Sequence, residues 1–219
     1  MPYILDPAKK HLVSPTFNEL FDPIKNILPH TPPLEAKGDR PLQLDFEHQL
    51  KSLVYFHLEE HKSGRHLIQV LEQDDFARNE IAPPGGIKKS SYFEALNTRG
   101  LDQLMYVYSN LQPYAANVLP TLHSDLGDLI SIDGSLIDAV LSMHWADYRD
   151  DSKKAKVHVG FDINHSIPTK IFLTDGKADE RPFTDKILCK DQTGIMDRGY
   201  QSHKNFDIWQ TDGKHFLPS

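Results

Sequence analysis

Near Pro120 the chain changes its hydrophobic period, and this change constrains the fold more than any other feature of its 219 residues. Before it, apolar residues recur about every 3.6 positions. After it, short apolar runs and strict alternation take over, the signature of strands. The expectation is an α+β protein, with a helical amino-terminal region over 1–115 and a mixed sheet with helices over 116–219.

The helical half reads as follows. Asn18–Leu28 places Leu20, Phe21, Ile24, Ile27 and Leu28 at helical spacing. His30–Asp39, with Pro32 and Pro33, works as a linker. Leu44–Glu59 suits a helix buried on a wide face, with Phe46, Leu50, Leu53, Val54, Phe56 and Leu58. A third helix spans roughly Arg65–Asn79 and stops at Pro83-Pro84-Gly85-Gly86. Ser91 and Glu94 have the spacing of a capping box, opening a helix through Asn97. A longer helix follows from Leu101 to Leu111. Helix, tight turn and capped helix outline either an αα-corner or a helix-turn-helix. In the second case Lys88, Lys89, Ser90, Ser91 and Arg99 lie where phosphates are met.

In the second half, Leu129–Asp133 suits a central strand. Ala155–Asp162 alternates Val157, Val159 and Phe161 against Lys156, His158 and Gly160, the pattern of a half-buried strand. A turn at His165–Pro168 joins it to Thr169–Thr174, so these two strands are antiparallel neighbours. Arg181–Lys190 is a helix, Gly194–Asp197 a fourth strand, Ser202–Gln210 a helix with Phe206 and Trp209 inward, and His215–Leu217 a very short fifth strand.

Composition excludes some chemistry. Cys189 is the only cysteine, so neither an internal disulfide nor a multi-cysteine zinc site is available. The twelve histidines follow no metal-binding spacing. No apolar run reaches the ~18 residues of a membrane span and no secretory segment opens the chain, so a cytoplasmic address is expected. The net charge is −7 and neither half is basic, so composition gives no support to nucleic-acid binding.

Two aspartates end apolar strands: Asp133 in ISIDGS and Asp197 in GIMDRGY. A strand-terminal aspartate is commonly a turn residue. Two of them on adjacent strands can instead share a divalent cation through hard oxygen ligands and support phosphodiester chemistry. Asp147, Asp150 and Asp151 read as a solvated charge cluster with Arg149, Lys153 and Lys154.

The segments LISIDGSLID, KAKVHVGFD, SIPTKIFLTDGKADE and GIMDRGYQSHKNFDIWQTDGKHF, in this order, resemble the DDE transposases of the insertion-sequence 4 group. The helical region looks similar too, especially KKSSYFEALNTRG. The resemblance implies a ribonuclease H-like catalytic domain over 116–219 and a DNA-binding region over 1–115. It implies Asp133 and Asp197 as catalytic ligands of Mg²⁺ or Mn²⁺. Double-stranded DNA, both element ends and target, becomes the expected partner, met by Lys88, Lys89, Arg99, Lys156 and Arg198. A homodimer and a nucleoid-associated place in the cytoplasm are also expected. His158 is read either as sheet-face packing or as a DNA contact, Asp179 as a helix N-cap, and Gly199 as a residue that turns the chain out of its strand.

The chain departs from the family pattern in one respect. The family's third catalytic residue is a Glu on a helix beyond the fifth strand, and after Asp197 this chain has no Glu, only Asp207 and Asp212. It therefore reads as the amino-terminal portion of a transposase, deficient in cleavage and with an exposed sheet edge. The alternative reading is a non-catalytic DNA-binding or partner-pairing remnant. A third is an unrelated α+β scaffold in which both aspartates are turn residues.

Overall fold

The computed structural model describes residues 14–34, 42–138, 145–146, 148, 152–200 and 202–218. The aspartates of the expected charge cluster, Asp147, Asp150 and Asp151, and most of the linker's end lie outside these residues. The chain divides into two compact units, Met1–Leu111 and Gln112–Ser219.

The first unit is helical. Helix α1 (Ser14–Lys25) buries Phe17, Phe21 and Ile24, one stripe at i, i+4 and i+7. Helix α2 (Phe46–Leu58) starts where the Asp45 carboxylate accepts the His48 N–H at 2.8 Å. Helix α3 (Gly64–Gln73) starts where Ser63 Oγ accepts the His66 N–H at 3.2 Å. These elements enclose one core around Phe17, Phe21, Tyr55, Leu67, Leu71 and Tyr92. Within it the buried Ser52 and Tyr92 hydroxyls meet at 3.0 Å.

Two helical expectations need correction. The third helix does not run to Asn79. Asp74 is extended (ψ 131°), and its carboxylate accepts the Ala77 N–H at 2.8 Å, opening a separate π-helical turn over Ala77–Ile81. The capping box at Ser91 and Glu94 does not form either. Helix α4 (Lys89–Thr98) begins earlier, with Lys88 at the N-cap and no side-chain cap. Fifteen residues separate α3 from α4, far more than the 3–4-residue turn of a compact helix-turn-helix. Helix α5 (Leu101–Val118) runs past Leu111 and contains Pro113.

The second unit holds a five-stranded mixed sheet in the order β3-β2-β1-β4-β5. Its strands are β1 (Asp128–Asp138), β2 (Lys154–Asp162), β3 (Ile167–Asp175), β4 (Gln192–Met196) and β5 (His215–Pro218). The β1-β2 and β2-β3 pairs are antiparallel, while β4 and β5 run parallel to β1 and to each other. Helix α6 (Arg181–Ile187) connects β3 to β4, and α7 (His203–Thr211) connects β4 to β5. This is a ribonuclease H-like arrangement, and the hairpin over 155–174 forms as expected.

One face of the sheet carries Ile130, Ile132, His158, Gly160, Phe172 and Met196 and is closed by Phe183, Ile187, Tyr200, Phe206 and Trp209. A β-carbon at Gly160 would clash with Ile187 of α6, so glycine there lets that helix lie close on the sheet. The buried side of β2 is therefore that of Lys156, His158 and Gly160, whereas Phe161 is 38% exposed. On the opposite face Ile171 and Leu173 of β3 and Leu217 of β5 are exposed as well. Hydrophobicity alone would have turned β2 the other way. The helices on the first face decide it.

Candidate carboxylate site

The site forms where β1 and β4 separate. Their parallel pairing ends at Ile132 and Met196, so Asp133 and Asp197 are the first residues past it on neighbouring strands. The carboxyl ends of parallel strands are where open sheets place their ligands. Beyond this point β1 remains paired with β2, with Asp133 opposite Val159 and Gly134 opposite His158.

Both aspartates are exposed, and each is fixed through one oxygen. Asp133 Oδ1 accepts the Gly134 N–H at 2.8 Å, and Asp197 Oδ1 accepts the Gly199 N–H at 2.6 Å. That leaves Oδ2 of each for a ligand.

Behind them lies a polar group that sequence reasoning missed. Glu180, at the N-cap of α6, accepts the Lys156 ammonium at 3.0 Å through Oε1. Lys156 also donates to the Ala178 carbonyl at 3.1 Å, and only 14% of its side chain is exposed. The other Glu180 oxygen faces Gly199. A β-carbon there would lie 2.7 Å from Glu180 Oε2 and 3.0 Å from Asp197 Oδ1. Tyr200 is buried beneath, its ring edge-on to His158, with 3.4 Å between its hydroxyl and Nδ1. Burial first, then the charges of Glu180, Asp133 and Asp197, hold the Tyr200 hydroxyl protonated far above the usual phenol range. His158 stacks on Phe183 at 4.0 Å and its Nε2 meets Thr174 Oγ1 at 3.0 Å. Burial, followed by the Lys156 charge, lowers its pKa, against a smaller opposing effect of Glu180.

The remaining expected residues scatter. Arg198 is exposed beside Asp197, and Lys88 and Lys89 are exposed at the start of α4. Arg99 is half-buried, donating to the Leu44 carbonyl while its own carbonyl accepts Gln49 Nε2. Lys156 is committed to Glu180, and His158 is wholly buried as a packing residue. Asp179 is not the N-cap of α6, which is Glu180; it lies one residue before it and accepts the Arg181 N–H at 3.1 Å. The expected turning role of Gly199 is corrected: its φ is not positive, and what requires glycine there is space.

Among the described residues no three His, Cys, Asp or Glu side chains form a group that could hold a metal ion. The donors present at Asp133 and Asp197 are hard carboxylate oxygens, which suit Mg²⁺ or Mn²⁺ and not a soft ion. Among the same residues no helix is long and apolar enough to cross a membrane.

No family model matches the chain, and no curated protein matches it. Among solved structures, it is similar to a chain of Mos1 transposase in a paired-end complex with the left transposon end. The TM-score is 0.30 at 13% identity, covering 84% of this chain and 61% of that one. This chain thus spans less than two thirds of that chain, and so weak a likeness assigns neither family nor activity.

Proposed function

We propose that the chain carries the two-aspartate core of a DDE-type DNA transposase of the insertion-sequence 4 group. The supporting observation is that Asp133 and Asp197 are the first residues past the paired stretch of the neighbouring parallel strands β1 and β4 in a ribonuclease H-like sheet. Residues 116–219 are the catalytic region and 1–115 the DNA-binding region, with double-stranded DNA as substrate and partner. Asp133 and Asp197 would hold the Mg²⁺ or Mn²⁺, their carboxylates fixed by the Gly134 and Gly199 N–H groups. A bound cation of this kind supplies Lewis-acid activation of a phosphodiester. The residues' own work is positional: the Gly134 and Gly199 N–H groups fix the carboxylates, and Arg198 beside them offers a cation to a phosphate.

In-line displacement needs a complete and correctly oriented ligand set, of which the two aspartates supply two members. The competing reading is a DNA-binding remnant without catalysis, favoured by the lack of a three-ligand group among the described residues. A nicking assay on DNA bearing an element end, in Mg²⁺ and then Mn²⁺, separates the two. Slow nicking that Asp133→Ala and Asp197→Ala abolish supports the enzyme reading. DNA binding with no nicking in either metal supports the remnant. Nicking that survives both substitutions overturns the assignment of the aspartates.

A further inference from the structure

Strand β3 lies at one edge of the sheet, and among the described residues no strand pairs with its outer side. An edge strand presents a row of unpaired N–H and C=O groups, which folds blunt with lysine, proline or a short strand. The other edge follows that rule, since β5 is four residues long and includes Pro218. Strand β3 does not. It spans nine residues, and beyond the irregularity at Gly160/Phe161 its stretch Lys170–Thr174 pairs regularly with β2. Lys170 is its only cation and does not guard the edge: the ammonium donates to the Lys186 carbonyl at 2.8 Å and lies 3.4 Å from Cys189 Sγ. On the face away from α6, Ile171 is 43% and Leu173 56% exposed, beside Val159 and Val157 of β2.

The stretch Lys170-Ile171-Phe172-Leu173-Thr174 reads alike in both directions, polar at its ends and apolar at its three central positions. A two-fold axis through Phe172, normal to the sheet, sets the strand antiparallel to its own copy. Ile171 then stands opposite Leu173 of the second copy, twice, and Lys170 opposite its Thr174, so no like charges meet. An axis one residue away, at Ile171, would set Lys170 against Phe172 and Thr169 against Leu173. The pattern thus selects one register.

We propose that β3 is a homodimerisation edge, at which two copies of this chain pair their β3 strands antiparallel about Phe172 into one continuous sheet. The inference rests on the sheet alone and is independent of what Asp133 and Asp197 bind. Five paired residues a side cover well under the ~800 Å² per partner of a standard interface, so the dimer is weak and dissociates at the dilution of an unfolding experiment. Two-fold pairing uses up the edge and stops at two copies.

The test is sedimentation velocity of the full chain from about 5 to about 500 μM, where mass action moves a weak dimer from dissociated to formed. The expected result is a shift from monomer to dimer and no further. Leu173→Lys and Ile171→Glu each set a charge against an apolar side chain and should weaken association roughly tenfold or more. The double variant Ile171→Glu/Leu173→Lys sets opposite charges across the joint twice and should associate more tightly than either single variant. Leu217→Lys, on the exposed face of β5, should associate like the parent. Circular dichroism checks each fold, and where one single variant fails to fold the other decides. A parent that stays monomeric over the whole range overturns the proposal, as does undiminished association in the single variants. Equal losses in Leu217→Lys and Leu173→Lys mean that two sheets stack face to face, which also overturns edge pairing. A double variant no tighter than the singles overturns the register about Phe172.

Discussion

The hydroxyl of Tyr200 rests against the α-carbon of Gly134, so that a β-carbon at 134 would lie 2.5 Å from it. This knob-in-hole contact ties the turn after Asp197 to the residue after Asp133. Gly134→Ala should therefore destabilise the protein by roughly 1–3 kcal/mol, the usual cost of overpacking. Tyr200→Phe removes the clashing atom at the cost of one long hydrogen bond to His158, on the order of 1 kcal/mol. The double variant should lose clearly less than the sum of the two singles, because the next ring atom is 3.5 Å away. Urea unfolding of the four proteins measures this, and strict additivity would show that the contact is not what demands glycine.

His158 makes stability depend on pH. Its pKa is lowered from the ordinary value of 6.5 by burial first and the Lys156 charge second. The unfolded chain thus binds this proton more readily than the folded one, and stability rises with pH across the interval between the two pKa values. As pH falls below about 6.5, stability should fall. His158→Gln, which cannot titrate, should show a flatter profile than the parent, whatever the other eleven histidines contribute. The comparison is made by urea midpoints from pH 7.5 down to 5; parallel curves would exclude His158 as a source of the dependence.

Both aspartates were legible in the sequence because each follows a short apolar run, but β1 continues to Asp138, so Asp133 lies inside its strand and not at its end. Glu180 was not legible, since its approach depends on how the crossover helix lies on the sheet, which local pattern does not encode. A trace of it was present in Gly199, read as a residue that turns the chain, where a β-carbon would lie 2.7 Å from Glu180 Oε2. Lys156 and Arg99 show the converse error. In sequence they are cations available to phosphate; in the fold they are spent on Glu180 and on the Leu44 carbonyl. The break at Asp74 was missed because its capping bond is a three-residue event inside an apolar pattern that continues through it.

The exposed apolar face of the sheet should govern solubility more than stability. Ile171 is 43% and Leu173 56% exposed on β3, an edge strand. Replacing both by Thr retains β-propensity and removes apolar surface that is already in water. The urea midpoint should move little, while light scattering on concentration should drop. A large loss of stability would mean that these side chains are buried against something in solution.

The exposure pattern of the basic residues sorts the expected DNA contacts. Lys88 and Lys89 are exposed at the start of α4 with no side-chain partner among the described residues, whereas Arg99 holds the chain at Leu44. If the helical unit meets DNA through phosphates, the double variant Lys88→Ala/Lys89→Ala should weaken binding whatever the sequence of the duplex. It should also make the slope of log affinity against log salt shallower by about 0.9 per contact, close to 2 in all. Arg99→Ala should act differently, lowering the unfolding midpoint because a half-buried carbonyl loses its donor. Fluorescence anisotropy of a labelled duplex from 50 to 200 mM salt reads the first effect, and urea unfolding reads the second. An unchanged salt slope in the double variant would remove Lys88 and Lys89 from the interface, and a stability cost for them instead of Arg99 would reverse the assignment.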